Sequence, residues 1–349
     1  KADFLATAQK YHISPITARI IRNRDLISDN EIDLFLNGGM DDLYDPFLMK
    51  GVEEAIPLIL KAISEKTKIR IIGDYDVDGV TSTFILCKGL KEAGAIVDYA
   101  IPDRITDGYG INISLIEKAA NDGIEMIITC DNGIAATEAF DVAREKGITC
   151  IVTDHHEVPF IMDGDEKKYV YPDVDAIVNP KRHDSNYPFT GICGAMVAYK
   201  LILVLDEIYH YDRDLILELR EMAGFGTVCD VMELKDENRI LVKLALNDMN
   251  NSHNIGIQAL RKVCDLEKKP MSGYMLGFVM GPCVNATGRL DSANLSVDLF
   301  FSESIEAAIM RASELKRLND MRKDMTEEGI DKAQNLCLLT EKVSGSTNN

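Results

Sequence analysis

The chain has 349 residues, of which 46% are hydrophobic and 27% are charged, a composition typical of a globular protein with room for two or more ordinary domains. Its formal net charge is −19. Because Lys and Arg provide most of the affinity for phosphate backbones, this charge argues against a nucleic-acid-binding surface that extends over the whole protein. No apolar run approaches the ~18 residues of a membrane span, and the first residues lack the charged-then-apolar pattern of a signal peptide.

The eight cysteines do not form a recognisable metal or redox pair, because no two lie within three positions of each other. Cys87, Cys130, Cys150 and Cys229 fall in apolar segments beside small residues, which is typical of reduced core cysteines. This pattern predicts a reducing compartment, and therefore the cytoplasm.

The amino-terminal part of the chain reads as short helices. Residues 1–50 contain Ser28 followed by Glu31, a capping-box pattern that precedes an apolar run. Residues 51–66 have the periodicity of an amphipathic helix that leads into the first strand. We therefore expect an amino-terminal helical segment over 1–50.

Strand and helix patterns alternate over residues 67–183. Apolar strands are predicted at 69–72, 126–130, 148–153 and 176–178, with helical periodicity near 80–93, 113–121 and 135–146. This alternation predicts an α/β fold with a mostly parallel sheet flanked by helices. The polar stretch 159–172 shows no periodicity and is predicted to be a loop.

Acidic and histidine side chains follow three of these strands where each strand ends. They are Asp74, Asp76 and Asp78, then Asp131, then Asp154, His155 and His156. Parallel strands end at one edge of a sheet, so we expect these groups to meet there and to hold divalent cations. The first cluster alone could be a solvated acidic turn. It is not an EF-hand loop, because position 12 counted from Asp74 is Ile85, not Glu.

The remainder of the chain is predicted to be mostly helical over 193–280, with one long helix over 303–339. These patterns predict three parts: the amino-terminal segment 1–50, a domain 51–302 that includes its helical portion, and a long helix with a frayed tail over 303–349.

Several motifs together resemble the DHH phosphoesterase superfamily and, within it, the RecJ-type single-strand-specific exonucleases. The motifs are GDYDVDGVTS at 73–82, CDNGI at 130–134, TDHHE at 153–157, VNPKR at 178–182, GICGAMVAYKL at 191–201, GTVCDVMEL at 226–234 and NATGRL at 285–290. Superfamily relatives that cut small nucleotides share only the first three. The resemblance also implies that 51–302 is the catalytic domain and that the long helix over 303–349 is a linker. It implies further that a carboxy-terminal substrate-binding domain is missing, so that the chain is a catalytic-domain fragment.

The resemblance implies a role for each site residue. Two divalent cations, Mn²⁺ or Mg²⁺, are expected on Asp76, Asp78, Asp131, His155 and Asp230, with Asp131 bridging and Asp74 as a further ligand. Asp154 is expected to orient His155 or a metal-bound water. His156 is expected to face the scissile phosphate, with a phosphate contact from Arg289 supported by Asn285. Lys181 and Arg182, after a short predicted strand, are expected to contact the substrate backbone. The turn at 191–195 is either a phosphate-binding turn or close helix–sheet packing.

The implied activity is hydrolysis of single-stranded DNA from its 5′ end to 5′-mononucleotides, in DNA repair and recombination. A phosphodiesterase on short oligonucleotides or cyclic dinucleotides is the enzymatic alternative, and a non-catalytic scaffold in a replication complex is the other. We expect single-stranded DNA as partner, no membrane, a monomer, and single-strand-binding or helicase partners through the missing regions.

Overall fold

The computed structural model describes residues 4–103, 108, 110–290 and 294–345, and it covers only the backbone of 288–290, 331 and 333–345. Its strands are β1 Lys68–Ile72, β2 Ile96–Ala100, β3 Met126–Cys130, β4 Thr149–Thr153, β5 Phe160–Asp163, β6 Glu166–Tyr169 and β7 Ala176–Val178. Its α-helices are α1 Phe4–Lys10, α2 Pro15–Arg22, α3 Asp29–Asn37, α4 Val52–Glu65, α5 Val77–Glu92, α6 Ile113–Asn121, α7 Thr137–Glu145, α8 Gly194–Tyr209, α9 Arg213–Cys229, α10 Asp236–Asp248, α11 Ile255–Val263, α12 Gly273–Met275, α13 Gly281–Leu290, α14 Asn294–Phe300 and α15 Ile305–Gly345.

Five strands form one parallel sheet in the order β2-β1-β3-β4-β7. Every residue of the central strand β3 is buried, because helices cover both faces of the sheet. One face packs against a large core that includes α4, α5 and α8, and the other against a smaller core with α6 and α7. The predicted α/β class with a parallel, helix-flanked sheet is confirmed.

Two strand assignments differ from the sequence prediction. Strand β2 has no counterpart in it, because Asp98 interrupts the apolar run and pairs instead with Arg70 on β1, at 2.7 Å. The predicted loop over 159–172 is wrong, since β5 and β6 within it form an antiparallel hairpin. All four residues of β5 are exposed, so the hairpin lacks the buried-and-exposed alternation that reveals a strand in sequence.

The segment that follows the amino-terminal helices contacts a buried ion pair of the main fold. Lys200 on α8 contacts the carboxylate of Glu237 on α10, and both also bind the backbone of Tyr44. The predicted capping box at Ser28 and Glu31 is present at the start of α3. Among the described helices, none combines the length and apolar character needed to cross a membrane. The domain boundaries at 50 and 302 stay predictions.

Candidate metal centre

The acids and histidines predicted at the strand ends meet at the carboxyl edge of the sheet. Asp74 follows β1, Asp131 follows β3, and the run from Asp154 to His156 follows β4. Asp230, which lies 74 residues further along the chain than His156, ends α9 and joins the same group. The sheet topology brings these residues together because parallel strands all end at this edge.

Helix α5 begins inside the first acidic motif, three residues earlier than the sequence indicated. Asp76 is its N-cap and accepts a hydrogen bond from the backbone N–H of Gly79 at 3.0 Å. Gly79 cannot carry a side chain here, because a Cβ atom would lie 2.4 Å from the carbonyl oxygen of Asp74. From α13, the side-chain oxygen of Asn285 accepts a hydrogen bond from the N–H of Val77 at 3.0 Å, which holds the start of α5.

The carboxylate of Asp78 lies at the amino terminus of α8. The backbone N–H groups of Gly194 and Ala195 donate to its two oxygens at 2.6 and 2.9 Å. The turn at 191–195 therefore packs closely against the sheet, and the anion at this helix terminus is the protein's own aspartate. A Cβ at Gly194 would come within 2.7 Å of the Cβ of Asp131, and one at Gly226 within 2.6 Å of Asp78 Oδ1.

Asp131 adopts a left-handed backbone conformation, with φ of +60°. Aspartate adopts this conformation more readily than most residues with a side chain, and such residues occur at sharp turns and cluster at functional sites. The next residue, Asn132, fixes the turn by donating to the carbonyl oxygens of Ile72 at 3.1 Å and Cys130 at 2.9 Å. The ends of β1 and β3 are thereby tied together around Asp131.

The imidazole of His155 faces three carboxylates. Its Nε2 atom lies 3.0 Å from Asp131 Oδ1, 3.6 Å from Asp78 Oδ2 and 3.7 Å from Asp230 Oδ2. Three sets of possible ligand atoms lie within 4.8 Å of one another: Asp74, Asp76 and Asp131; Asp78, His155 and Asp230; and Asp131, His155 and His156. The first two sets share no residue, but Asp131 of the first set contacts His155 of the second.

Burial and mutual repulsion disfavour the ionised form of these acids. Burial raises the pKa of Asp74 to about 7 and those of Asp78 and Asp230 to about 6, and Asp76 adds to the effect in each case. Burial, followed by the charge of Asp78, raises the pKa of Asp131 well above its ordinary value. The buried oxygen Oδ1 of Asp74 has no partner within the described part of the chain. Oxygen donors in this number and crowding fit divalent cations, whose charge would keep the acids ionised.

Asp154 binds the ring of His156, a contact that the sequence did not predict, and its expected role toward His155 or a metal-bound water stays a prediction. Its Oδ1 accepts hydrogen bonds from Nδ1 of His156 at 2.7 Å and from the backbone N–H groups of His155 and His156. Its Oδ2 accepts from the N–H of Ile134 at 2.9 Å. Burial alone would raise the pKa of Asp154, but these donors outweigh it and the pKa is lowered. These hydrogen bonds fix the ring of His156 and the backbone of both histidines.

The sequence predicts that Arg182, Asn285 and Arg289 bind phosphate, and the structure describes the side chains of the first two. Arg182 is bound within its own loop, since its guanidinium contacts Asp184 at 2.8 Å and the carbonyl oxygen of Ile177 at 2.9 Å. Asn285 lies beside the metal motif, as described above. The side chain of Arg289 lies outside the described residues. The three roles in phosphate binding stay predictions, and the contacts of Arg182 weigh against its own.

Some residues of the site were not recognised from the sequence. Asn179 donates to the carbonyl oxygen of His156 at 3.0 Å and so fixes the histidine pair from the end of β7. The sequence signal for Asn179 is its position directly after a short predicted strand, which is the same signal that indicates the acids. Asn132, next to Asp131, belongs to the CDNGI motif, but the sequence predicts no role for it.

The comparisons with known proteins agree with this geometry. The N-terminal domain of the DHH family matches residues 68–226. A crystal structure of exonuclease RecJ bound to manganese superposes with a TM-score of 0.72 and 30% identity, over 81% of this chain and 69% of that one. The chain belongs to the DHH family. The predicted resemblance to its RecJ-type members is thereby confirmed.

Curated relatives in this family are named single-stranded-DNA-specific exonuclease RecJ. The protein of Bacillus subtilis (strain 168) is 38% identical over 326 residues, which cover 93% of this chain and 39% of the relative. That of Escherichia coli (strain K12) is 33% identical over 343 residues, covering 95% and 57%. This member of the DHH family thus spans only about 39% to 57% of the length of these relatives.

Proposed function

We propose that this chain carries the catalytic centre of a metal-dependent exonuclease that degrades single-stranded DNA from its 5′ end and releases 5′-mononucleotides. The proposal rests on two sets of possible metal ligands at the carboxyl edge of the sheet. One set is Asp74, Asp76 and Asp131, and the other is Asp78, His155 and Asp230. The two sets are in contact through Asp131 and His155. The substrate and the reaction are inferred from the RecJ relatives, which are named single-stranded-DNA-specific exonucleases.

Two divalent cations, Mn²⁺ or Mg²⁺, are the proposed cofactors. The donors are carboxylate oxygens and one imidazole without thiolate, which suits these ions. Solved RecJ structures contain Mn²⁺ or Mg²⁺. When bound, such ions activate a water molecule and neutralise charge on the phosphate. In this chain, Asp131 is the proposed bridging ligand, held in position by its left-handed turn.

His156 is the proposed catalytic residue that contacts the phosphoryl group. Its hydrogen bond to Asp154 raises the pKa of the imidazole, and burial only partly opposes this. A protonated ring bound to Asp154 through Nδ1 can donate a second hydrogen bond through Nε2, and its side chain is 45% exposed. Such a donor stabilises the negative charge that develops on the phosphoryl oxygens.

Single-stranded DNA is the proposed partner. The net charge of −19 favours a narrow basic strip along which the strand binds over a broad basic surface. Asn285 and Arg289 are proposed to lie along that strip, both on α13. A monomeric state, single-strand-binding or helicase partners, a cytoplasmic location and a role in DNA repair and recombination stay predictions.

The experiment that tests the function compares substrates of the purified chain in Mn²⁺. We expect a long 5′-phosphorylated single strand to be degraded to mononucleotides, the corresponding duplex to be resistant, and EDTA to stop the reaction. A chain that cleaves only dinucleotides or cyclic dinucleotides would instead support the small-substrate phosphodiesterase. A chain that binds manganese and cleaves none of these would contradict the proposal.

A further inference from the structure

A short turn after β7 fixes a lysine beside the histidine pair. Asn179 holds the carbonyl oxygen of His156, as described, and its own side-chain oxygen accepts a hydrogen bond from the backbone N–H of Lys181 at 2.7 Å. One asparagine therefore links Lys181 to the backbone of the proposed catalytic histidine. These two hydrogen bonds fix the backbone of Lys181 relative to the backbone of His156.

The ammonium group of Lys181 is paired with an acid that immediately follows His156. Its Nζ lies 3.2 Å from Oε1 of Glu157. The lysine side chain is 24% exposed, while that of Glu157 is 85% exposed. An exposed ion pair of this kind contributes little to stability, because water and salt screen it. The carboxylate can leave the lysine at small cost.

Lys181 and Arg182 are adjacent cations with different partners. Arg182 is bound to Asp184 and to the backbone of Ile177. Of these two adjacent cations, Lys181 is the one whose partner is exposed and exchangeable.

We propose that Lys181 is a binding site for a phosphodiester of the DNA strand beside the metal centre, and that Glu157 occupies its ammonium group until the phosphate displaces it. In the protein without DNA, the carboxylate of Glu157 binds the ammonium group where the non-bridging oxygens of the phosphate would bind. Both groups are negatively charged hydrogen-bond acceptors. This assignment rests on the proposed function, because it takes single-stranded DNA as the ligand.

A double-mutant cycle tests the displacement. Dissociation constants of a fluorescein-labelled, 5′-phosphorylated oligothymidylate are measured by anisotropy in EDTA, from the lowest practicable salt upwards, for four proteins: wild type, Lys181→Gln, Glu157→Gln and the double variant. Lys181→Gln should weaken binding about tenfold, as loss of one charge-assisted hydrogen bond does. It should also reduce the slope of log affinity against log salt by about 0.7, the value for one phosphate contact on a single strand.

Glu157→Gln separates displacement from simple repulsion of DNA by an acid. If Glu157 competes with phosphate for Lys181, this variant tightens binding in the presence of Lys181 and has no effect in the Lys181→Gln background. If Glu157 only repels DNA, it tightens binding by the same factor in both backgrounds, and the proposed displacement is wrong. Lys50→Gln is the charge-matched control, since Lys50 forms an ion pair of 2.7 Å with Glu54 at the start of α4. It should change affinity much less than Lys181→Gln.

The outcomes distinguish this inference from the proposed function. Equal affinities for wild type and Lys181→Gln would overturn the phosphate site, whether or not the wild type cleaves DNA in manganese. A wild type that binds the oligonucleotide but never cleaves it would contradict the exonuclease, while the cycle would still decide the role of Lys181. A wild type that binds no oligonucleotide in EDTA would contradict the phosphate site at Lys181, while the cleavage test in manganese would still decide the exonuclease.

Discussion

Asp154 and His156 form a hydrogen-bonded pair through Oδ1 and Nδ1 at 2.7 Å, and this pair separates the properties of two adjacent histidines. Burial lowers the pKa of His155, which favours the neutral ring that a metal ligand requires. The hydrogen bond from Asp154 raises the pKa of His156 and favours the charged ring. One imidazole is thereby suited to a cation and its neighbour to a phosphate.

Substitution of the two histidines should therefore have different effects on metal binding. We expect His156→Ala to keep manganese binding and lose cleavage rate, and His155→Ala to lose manganese affinity about tenfold to a hundredfold, the usual effect of disturbing a ligand. Isothermal titration with Mn²⁺, in parallel with single-turnover cleavage, checks both. Loss of manganese binding in His156→Ala would make His156 a ligand and contradict this division.

Asp131 should be indispensable for metal-dependent cleavage. It belongs to one ligand set, contacts His155 of the other and adopts a left-handed conformation, so Asp131→Ala removes the proposed bridging oxygen. We expect the rate in manganese to fall by at least about a hundredfold. Asp173→Ala is the control, because Asp173 is exposed and pairs with Arg144 near the start of β4, at the opposite edge of the sheet. Similar rates for the two variants would contradict the two-metal assignment.

Gly194 should tolerate no side chain. Its Cβ would lie 2.7 Å from that of Asp131, and the backbone N–H of the same residue binds Asp78. We expect Gly194→Ala to displace both acids and to reduce manganese affinity and cleavage together. Gly329→Ala is the matched control on α15, where nothing lies within 4 Å of the added carbon and helix propensity predicts a gain of about 0.5–1 kcal/mol. Unchanged manganese affinity in Gly194→Ala would show that this close packing is not needed.

Glu221 should make stability depend on pH. This residue on α9 is buried and bonded to Ser252, and burial raises the pKa of Glu221 to about 8 from an ordinary value of 4.5. Between these values the folded state keeps a proton that the unfolded state releases, so the free energy of unfolding falls as pH rises from about 4.5 to about 8 and is lowest above it.

Glu221→Gln should remove that part of the pH dependence, which amounts to about 1 kcal/mol per pH unit in the titrating range. Urea unfolding at pH 5.5 and 8.0 measures it as the difference between wild type and variant, so that the titration of other groups cancels. Glu207→Gln, at an exposed position on α8, should leave the pH dependence as it is in the wild type. If the slopes of wild type and Glu221→Gln agree, Glu221 is not the titrating group.

Much of the fold could be predicted because its signals are local. Buried strands such as β3 are continuous apolar runs, and the acids that follow them are adjacent in sequence to the residues that form the sheet. The rule that parallel strands end at one edge then places Asp74, Asp131 and His155 together without any knowledge of distances. The exposed hairpin of β5 and β6 and the edge strand β2 were missed because neither has an uninterrupted apolar pattern.

The contacts that complete the site were decided only by the tertiary structure. Asp78 is bound by backbone N–H groups 116 and 117 residues away, and Val77 by the side chain of Asn285, 208 residues away. The sequence also could not tell which histidine Asp154 would hold, since Asp154 adjoins His155 yet binds the ring of His156. Periodicity and motif spacing indicate the directions of side chains that are close in sequence. The contacts of Asp78, Val77 and Asp154 depend instead on how distant helices pack against the sheet edge, and on the side-chain rotamers that this packing permits.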